Sequence, residues 1–578
     1  MKAMNKIIIK SLALLALVIT SCNESTFLDE SNPNALTVDR FWKTEAHFNS
    51  ALTTAYGALQ YRSVSGAELV QEFVLGDIAG TQPWYRPADF RNLTYNNASI
   101  HLVNKWEELY VGVFRANTVL DQLSLVEEGV LRDDFKAEIE AQARFLRAFF
   151  YFQIIHTYGG AMIHDGVAQS IAELNQPISS IEEVNTQMII PDLEFAMNNL
   201  PESWPANETG RATWGAATSM LGKVYLYDEQ WGQAATLFKE VIDSGIYDLT
   251  RNIEDNFTHF NEFNEESIFE VNYSFDLNSG NSGFQEDSDT QGGSGAESTT
   301  LSTEIGSLAH GAFNTVLTSY SLHELLVHDE VDPNNPINDG NLESRRMNYT
   351  IAPRNGEGDY YLEPFAESPA AWGGGITAFV KKHSNWYHMT QEPLRGRSGI
   401  NFRHIRYADV LLMYAEATIN ANGDFMTAIQ YIDMVRSRAG VYTLQQYMDM
   451  NGGMFPAFHV SPQVNGGNLT FVAPNAQTVM EHIQKVERKI ELCFEGHRYK
   501  DLVRWGIVKE VFDELRADEV WRQDESNLDL SGIGEAPLFI SGFVRPDFVL
   551  SSVNYRSDQH DYFPIPTAEV LNNQNFNN

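Results

Sequence analysis

Three glutamates spaced four residues apart form a pattern that could do acid–base chemistry. Glu487, Glu491 and Glu495 would share one face of a helix. A glycosidase needs two carboxylates across a cleft, about 5 Å or about 6.5–9.5 Å apart, and no flanking motif marks such a pair. We expect these glutamates to pair structurally with arginines, which suit bidentate contacts to carboxylates between helices; the arginines of the neighbouring helical motifs are Arg406, Arg436, Arg438, Arg498 and Arg504.

Metal-binding patterns are the second kind of chemistry to consider. In HELLVH, His323 and His328 are five residues apart, whereas a zinc-binding helix places its two histidines four apart. The segments 276–299 and 329–341 are rich in Asp and Asn, whose oxygens suit calcium, but neither has the EF-hand spacing. We therefore expect no metal and no cofactor, and a structural calcium ion stays open.

Aromatic residues in loops are the third kind, because neutral glycans offer C–H faces that stack on exposed rings. The segment TQPWYRPADFRN at 81–92 holds aromatic residues between prolines, and the sequence AWGGG at 371–375 has a tryptophan before three glycines. Burial in the core is the alternative for every ring of this kind. The predicted ligand-binding residues are Trp84, Tyr85, Arg86, Trp372, Tyr360, Tyr361, Phe284 and Trp386.

Length and charge exclude several classes of protein. The chain has 578 residues, of which 43% are hydrophobic, so it can bury a large core. Its formal net charge of −37 repels phosphate backbones, so we expect no nucleic-acid partner. The two cysteines, Cys22 and Cys493, offer no disulfide framework.

The N-terminus has the order of an export signal. Residues 1–21 contain three lysines followed by the apolar run SLALLALVIT, which is about half of what a membrane-spanning helix needs. The tetrapeptide 19–22 resembles a bacterial lipoprotein box, so we expect cleavage before Cys22 and lipidation of its thiol. An ordinary secretory signal is the alternative. Residues 23–34 would then form a polar tether.

The flanking parts of the chain show helical periodicity. An apolar stripe runs through 139–157, a second helical pair is predicted at 404–438, and a third helix near 477–500. Residues 210–245 match the tetratricopeptide pattern, in which small residues let two helices approach closely. The matching residues are Leu221, Gly222, Tyr225, Ala234 and Phe238.

The middle of the chain differs from both flanks. SIFEVNYSF at 267–275 alternates like a strand, and several Gly-, Asn- and Asp-rich segments indicate long loops. Long loops on a rigid frame commonly hold binding sites. The sequence thus predicts a signal peptide (1–21), a tether and N-terminal segment (22–43), a helical part (44–249), a loop-rich mixed region (250–400) and C-terminal helices with a tail (401–578).

With these segments in order, the chain resembles the SusD/RagB family, the surface glycan-binding lipoproteins of Bacteroidota. The resemblance covers nearly the whole chain, with one departure at Ala161-Met162, where the family often has an acidic residue and proline. It rests on FLDE (27–30), WEELYVGVFRANTVL (106–120), RFLRAFFYFQIIHTYGG (144–160), GRATWGAATSMLGKVYLY (210–227), RYADVLLMYAEATINANG (406–423), IDMVRSRAG (432–440), ERKIELCFEGHRYKDLVRW (487–505) and YFPIPTAEVLNNQNFNN (562–578).

The resemblance implies a mainly helical, tetratricopeptide-like superhelix with an inserted irregular region of loops and short strands. It also implies a non-catalytic lipoprotein of the outer membrane, facing the cell exterior, that captures oligo- or polysaccharide and delivers it to a SusC-like TonB-dependent transporter. Contact with the membrane would be through the lipid anchor alone. The alternatives are a peptide-cargo binder of the same uptake type, an extracellular glycoside hydrolase and a pure protein-interaction scaffold.

Overall fold

The chain is mainly helical in its computed structural model, which describes residues 41–81, 85, 87–276, 297–353, 358–364, 378–387, 398–458, 470–523 and 547–576. The helices of seven or more residues are α1 (Glu45–Gly57), α2 (Ile100–Ser124), α3 (Asp133–Tyr158), α4 (Ile190–Asn199), α5 (Trp214–Tyr227), α6 (Trp231–Asp243), α7 (Tyr320–Val327), α8 (Tyr407–Asn422), α9 (Phe425–Arg438), α10 (Leu444–Met450), α11 (Ala476–His482), α12 (Arg498–Arg504) and α13 (Val508–Arg522).

Shorter helical turns connect these elements. They span Val70–Phe73, Ala88–Arg91, Ile171–Leu174, Ile181–Val184, Leu301–Ile305, Arg345–Thr350, Arg488–Glu491, Val549–Asn554, Ser557–His560 and Thr567–Asn572. No helix among the described residues is both long enough and apolar enough to cross a membrane.

The predicted apolar stripe at 139–157 lies on α3. Two acidic residues, Asp133 and Asp134, occupy the first turn of this helix, where their negative charges interact favourably with the positive end of the helix dipole. From Phe145 to Ile155 only Gln153 is not fully buried, because α1, α2 and α4 all pack against α3. The prediction of a core helix is confirmed, and side chains on all faces of this part of α3 are buried, not only those of one stripe.

The tetratricopeptide-like pair consists of α5 and α6. A Cβ atom added at Gly222 would lie only 2.7 Å from the Phe238 ring, so the two helices approach as closely as the small residue allows. Ala234 and Phe238 are buried between them. The prediction of a close helical pair is confirmed.

The second predicted pair is α8 and α9. Gly423 ends α8 in the left-handed conformation (φ 77°), which glycine adopts without steric cost. The next residue, Asp424, accepts a hydrogen bond from the backbone N–H of Thr427 and caps α9. The turn of Asn422-Gly423 therefore joins the two helices, as the sequence predicts.

The predicted third helix at 477–500 is shorter than expected. It runs from Ala476 through a π-turn at Ile483–Glu487 to Glu491, and the chain then turns before α12. The Lys382 ammonium donates hydrogen bonds to the backbone oxygens of Glu491 and Cys493. A continued helix would use those carbonyls internally, so tertiary contacts override the local periodicity here.

The strands are short and pair only in twos. The predicted strand at 267–275 is observed over Ser267–Val271 and pairs antiparallel with a strand that directly precedes α8. The six two-stranded sheets pair β1 (Ala79–Gly80) with β5 (Leu317–Thr318), β2 (Gly160–Met162) with β3 (Ile178–Ser180), β4 (Ser267–Val271) with β10 (Phe402–Arg406), β6 (Ile351–Pro353) with β9 (Ala378–Val380), β7 (Asp359–Tyr360) with β8 (Glu363–Pro364), and β11 (Phe455–Pro456) with β12 (Phe471–Val472).

One large hydrophobic cluster joins the N-terminal and C-terminal helices. It runs from Phe48 in α1 to Phe563 near the C-terminus. A second, small cluster of Ala352, Tyr360, Tyr361 and Phe379 lies in the middle region. The two flanks thus form the frame on which the loops of the middle region are held.

Candidate functional site

The three glutamates of the sequence motif form a buried ionic framework with arginines. Glu487 pairs with Arg436 at 2.9 Å, and Glu491 pairs with Arg438 at 2.6 Å. Glu495 receives Arg406 at 2.7 Å, from the turn after the helix. The prediction of arginine pairing is confirmed for these three arginines.

Two of the predicted arginines have other partners, and one partner was missed. Arg498 binds Asp77 at 2.6 Å, and Arg504 binds Asp501 at 2.9 Å and also contacts Glu416. Arg346, from a short helix in the middle region, contacts Glu487 at 2.6 Å. The framework thus fixes the middle region to the C-terminal helices.

The predicted binding residues Tyr360 and Tyr361 are fully buried. The Tyr360 ring stacks on Phe379 at 5.6 Å, and the Tyr361 ring stacks on His310 at 4.5 Å, both nearly parallel. Neither ring has a face open to a ligand. This corrects the expectation for these two residues, whose role is to form the core of the middle region.

Trp386 is half-buried and packs against this small core. The Lys381 ammonium lies 3.9 Å from the centroid of its ring and donates a hydrogen bond to the backbone oxygen of Asn348. Burial lowers the pKa of Lys381 to about 7 against the opposing effect of Glu343 and Asp359. The lysine therefore supports Trp386 from the side of the protein interior.

Trp386 belongs to a larger group of half-buried and exposed rings that we call the aromatic surface. Its rings form a chain of neighbours. The ring centroid of Trp386 lies 6.3 Å from that of Tyr349 and 5.9 Å from that of Tyr387, and the His259 ring stacks on Tyr387 with the centroids 5.7 Å apart. Phe260 is 63% exposed. The aromatic surface consists of His259, Phe260, Phe275, Tyr349, Trp386 and Tyr387.

Two strand pairs bring these rings together. Pairing of β6 with β9 places Tyr349, just before β6, beside Trp386, which follows β9. His259 and Phe260 precede β4, which pairs with β10. Lys382 holds the loop that contains Trp386 to the helical frame, because its ammonium group lies 2.7 Å from the Glu495 carboxylate.

Polar groups flank the aromatic surface. The Tyr387 hydroxyl accepts a hydrogen bond from the backbone N–H of His259 and lies 2.7 Å from its Nδ1 atom. The Asn261 amide donates to Asp255 at 3.1 Å. Burial, together with the neighbouring Glu254 carboxylate, raises the pKa of Tyr349 to about 12. Rings with adjacent amide and carboxyl groups can bind a sugar by stacking and hydrogen bonding.

Tyr85 lies in a different place, beside the β1–β5 pair. It is half-buried next to Glu304, and burial and this carboxylate raise the pKa of its hydroxyl. Glu304 accepts a hydrogen bond from the Thr315 hydroxyl at 2.6 Å, and the Thr81 hydroxyl donates to the backbone oxygen of Thr315 at 2.7 Å. This chain of hydrogen bonds positions the start of the loop that contains Tyr85.

The other predicted binding residues lie outside the described part of the chain. These are Trp84, Arg86, Trp372 and Phe284, and the expected lipidation site Cys22 is outside it as well. Among the residues that the structure describes, no group of three or more His, Cys, Asp or Glu side chains could hold a metal ion.

His259, Phe260 and Tyr387 of the aromatic surface are not among the binding residues predicted from the sequence. All three are aromatic residues in loops, next to asparagines or to another ring, in the sequences THFN (258–261) and NWY (385–387). The signal was therefore the same as for Trp386. The contact between the two loops could not be predicted from these sequences, because His259 and Tyr387 are 128 residues apart in the chain.

Comparison with known proteins identifies the class that this helical frame with its inserted loops defines. The model of the SusD family matches residues 265–578, and a model described as starch-binding associating with outer membrane matches residues 26–226. The chain therefore belongs to the SusD family.

Individual relatives agree with this assignment. SusD-like protein P25 of Formosa agariphila is 23% identical over 534 residues, which cover 88% of this chain and 92% of that protein. A SusD superfamily protein from Bacteroides vulgatus has a similar structure, with a TM-score of 0.70, 23% identity and coverage of 92% of this chain and 98% of that one. A laminarin-binding SusD-like protein aligns with a TM-score of 0.64, 23% identity and the same two coverages.

Proposed function

We propose that this protein is a non-catalytic surface lipoprotein that binds an oligo- or polysaccharide and delivers it to a SusC-like TonB-dependent transporter of the outer membrane. The observation that supports binding most directly is the aromatic surface, where the exposed Phe260 ring and its half-buried neighbours lie beside amide and carboxyl groups. Membership of the SusD family and the likeness to a laminarin-binding structure point to the same class of ligand.

A binding role without bond cleavage fits the state of the carboxylates in the sequence motif. Glu487, Glu491 and Glu495 are buried and held by arginines or lysine. A general acid must reach the glycosidic oxygen, which these side chains cannot do. Cys22 would hold the protein on the membrane through its acyl chains, and capture near the transporter would raise the local ligand concentration.

Affinity electrophoresis and calorimetry test this proposal on the chain from residue 23 onward, against plant, algal, host and microbial polysaccharides. Each ligand found is then incubated with the protein and analysed for new reducing ends. We expect binding to at least one polysaccharide without new reducing ends. New reducing ends would show a hydrolase, and affinity for peptides alone would show a peptide-cargo binder.

A further inference from the structure

A small cavity with charged side chains on its wall lies where distant parts of the chain meet. Its wall includes side chains of α2, α3, α5, β10 and the segment 495–500. Its volume of about 30 Å³ is room for about two waters or one small ion. We call it the lysine cavity, after the three lysines that line it, Lys105, Lys223 and Lys500.

The three lysines offer more hydrogen-bond donors than the protein accepts. Lys105 binds Glu72, and Lys500 lies 3.5 Å from the second oxygen of the same carboxylate. Lys223 lies 3.2 Å from Asp409 and 3.3 Å from Nδ1 of His497. Each ammonium has three N–H donors, so each keeps at least one donor that no acceptor among the described residues takes.

Glu495 and Tyr227, two other polar residues of the cavity wall, do not supply the missing acceptors. Both oxygens of Glu495 are occupied by Arg406 and Lys382. The Tyr227 hydroxyl is buried without a hydrogen-bond partner and is a further donor. Unused donors of the buried Lys105 and Lys223 side chains cost about 1–3 kcal/mol each, so the cavity favours an occupant that accepts several hydrogen bonds.

Two lysines of the cavity share one carboxylate as their ion-pair partner. Lys223 belongs to a balanced chain of alternating charges through Asp409 and Arg488 to Asp501. Lys105 and Lys500, in contrast, share the single carboxylate of Glu72. Glu108 is a further carboxylate near Lys105; it accepts hydrogen bonds from Ser63, and burial raises the pKa of its carboxyl group.

His404 lies on the cavity wall, where the positive charges of the lysines act on its ring. Burial lowers the pKa of its ring to about 3, and the three lysines of the cavity act in the same direction. Its Nε2 atom lies 2.7 Å from the Ser65 hydroxyl. The imidazole is therefore neutral and does not compete with the lysines as a cation.

We propose that the lysine cavity binds one monovalent inorganic anion, which is chloride in ordinary saline. One such ion accepts the unused N–H donors of lysines that reach the cavity from the N-terminal and C-terminal helical parts, and it adds a counter-charge for the two lysines that share Glu72. An ion that binds only the folded state stabilises it. The site is separate from the aromatic surface and does not depend on the proposed glycan binding.

Thermal unfolding in sodium chloride and in sodium gluconate at equal ionic strength tests the proposal, since gluconate is too large for the cavity. We expect a saturable rise in Tm of about 2–3 °C at a chloride concentration 100-fold above the dissociation constant. Lys500→Met removes one of the ligands and should abolish the difference between the salts. Lys509→Met is the matched control, because Lys509 is a half-exposed surface residue paired with Asp513, and it should retain the difference.

Crystals of the protein soaked in sodium bromide locate the ion directly. We expect an anomalous difference peak in the cavity within hydrogen-bond distance of the Lys105, Lys223 and Lys500 ammonium groups. Water alone in the cavity, or equal Tm values in the two salts, would overturn the proposal. If Lys500→Met does not fold, the bromide map of the unsubstituted protein decides the question.

Discussion

The Arg406 guanidinium donates a hydrogen bond of 2.8 Å to the Glu491 carboxylate, although the two residues are 85 positions apart in the chain. Arg406 ends the strand β10 at the start of α8, and Glu491 ends a short helix in the C-terminal part. Both side chains are buried, so this contact holds β10, which pairs with β4 of the middle region, to the C-terminal frame.

Glu491→Gln should destabilise the fold by about 3–5 kcal/mol, because removal of one partner leaves buried guanidinium groups without a counter-charge. Denaturant unfolding measures the change. Glu510→Gln is the control: Glu510 is an exposed partner of Lys485, and its substitution should change the free energy of unfolding by less than about 0.5 kcal/mol. Equal effects of the two variants would contradict the framework role.

Acid should weaken the same framework. Burial alone would raise the pKa of Glu491, but Arg438, Arg406 and Arg346 outweigh it and lower the pKa to about 2. A carboxyl group with a depressed folded-state pKa adds stability above its unfolded value of about 4.3, and this stability is lost as pH falls toward 2.

The free energy of unfolding should therefore decline between about pH 5 and pH 2, and part of the decline should be absent in Glu491→Gln. Urea unfolding at a series of pH values measures both curves. Parallel curves for the two proteins would show that Glu491 does not contribute to the acid sensitivity.

Gly222→Ala tests the close approach of α5 and α6. The added Cβ would lie 2.7 Å from the Phe238 ring, and overpacking of this kind costs about 1–3 kcal/mol. At Gly232, in the first turn of α6, an added Cβ meets nothing within 4 Å, so Gly232→Ala should be neutral or stabilise by up to about 1 kcal/mol. The opposite order of stabilities in denaturant unfolding would contradict the packing described for this pair.

Phe260→Ala tests the aromatic surface as a glycan site. Loss of one stacking ring worth about 0.5–1.5 kcal/mol should raise the Kd by about 2- to 12-fold. Phe114→Ala is the matched control, since Phe114 is similarly exposed at 54% but lies on α2. Calorimetry with the polysaccharide found in the screen gives both values. An unchanged Kd for Phe260→Ala would remove this ring from the site.

Cys22→Ser tests the proposed membrane anchor. We expect the substituted protein to lose incorporation of labelled palmitate and to leave the membrane fraction, because several acyl chains hold a protein on a bilayer at about 0.8 kcal/mol per buried CH₂. Fractionation and labelling of whole cells measure both effects. Membrane retention of unlabelled protein would point to an ordinary secretory signal and another mode of attachment.

The sequence by itself determined the helical frame and the family. The turn at Gly423 and the close contact of Gly222 with Phe238 follow from residue type and local spacing. These features are predictable because a helix repeats every few residues, so neighbours on its surface are also close in the sequence.

Tertiary structure alone decided which aromatic residues are exposed together and which are buried. Tyr361 and Trp386 looked alike in the sequence, but the first stacks against His310 in a small core and the second belongs to the aromatic surface. That difference arises from strand pairs and ion pairs between residues far apart in the chain, such as Ile351 with Val380 and Lys382 with Glu495. Loop side chains have no local period that would reveal such contacts, so their positions emerge only when the distant segments pack.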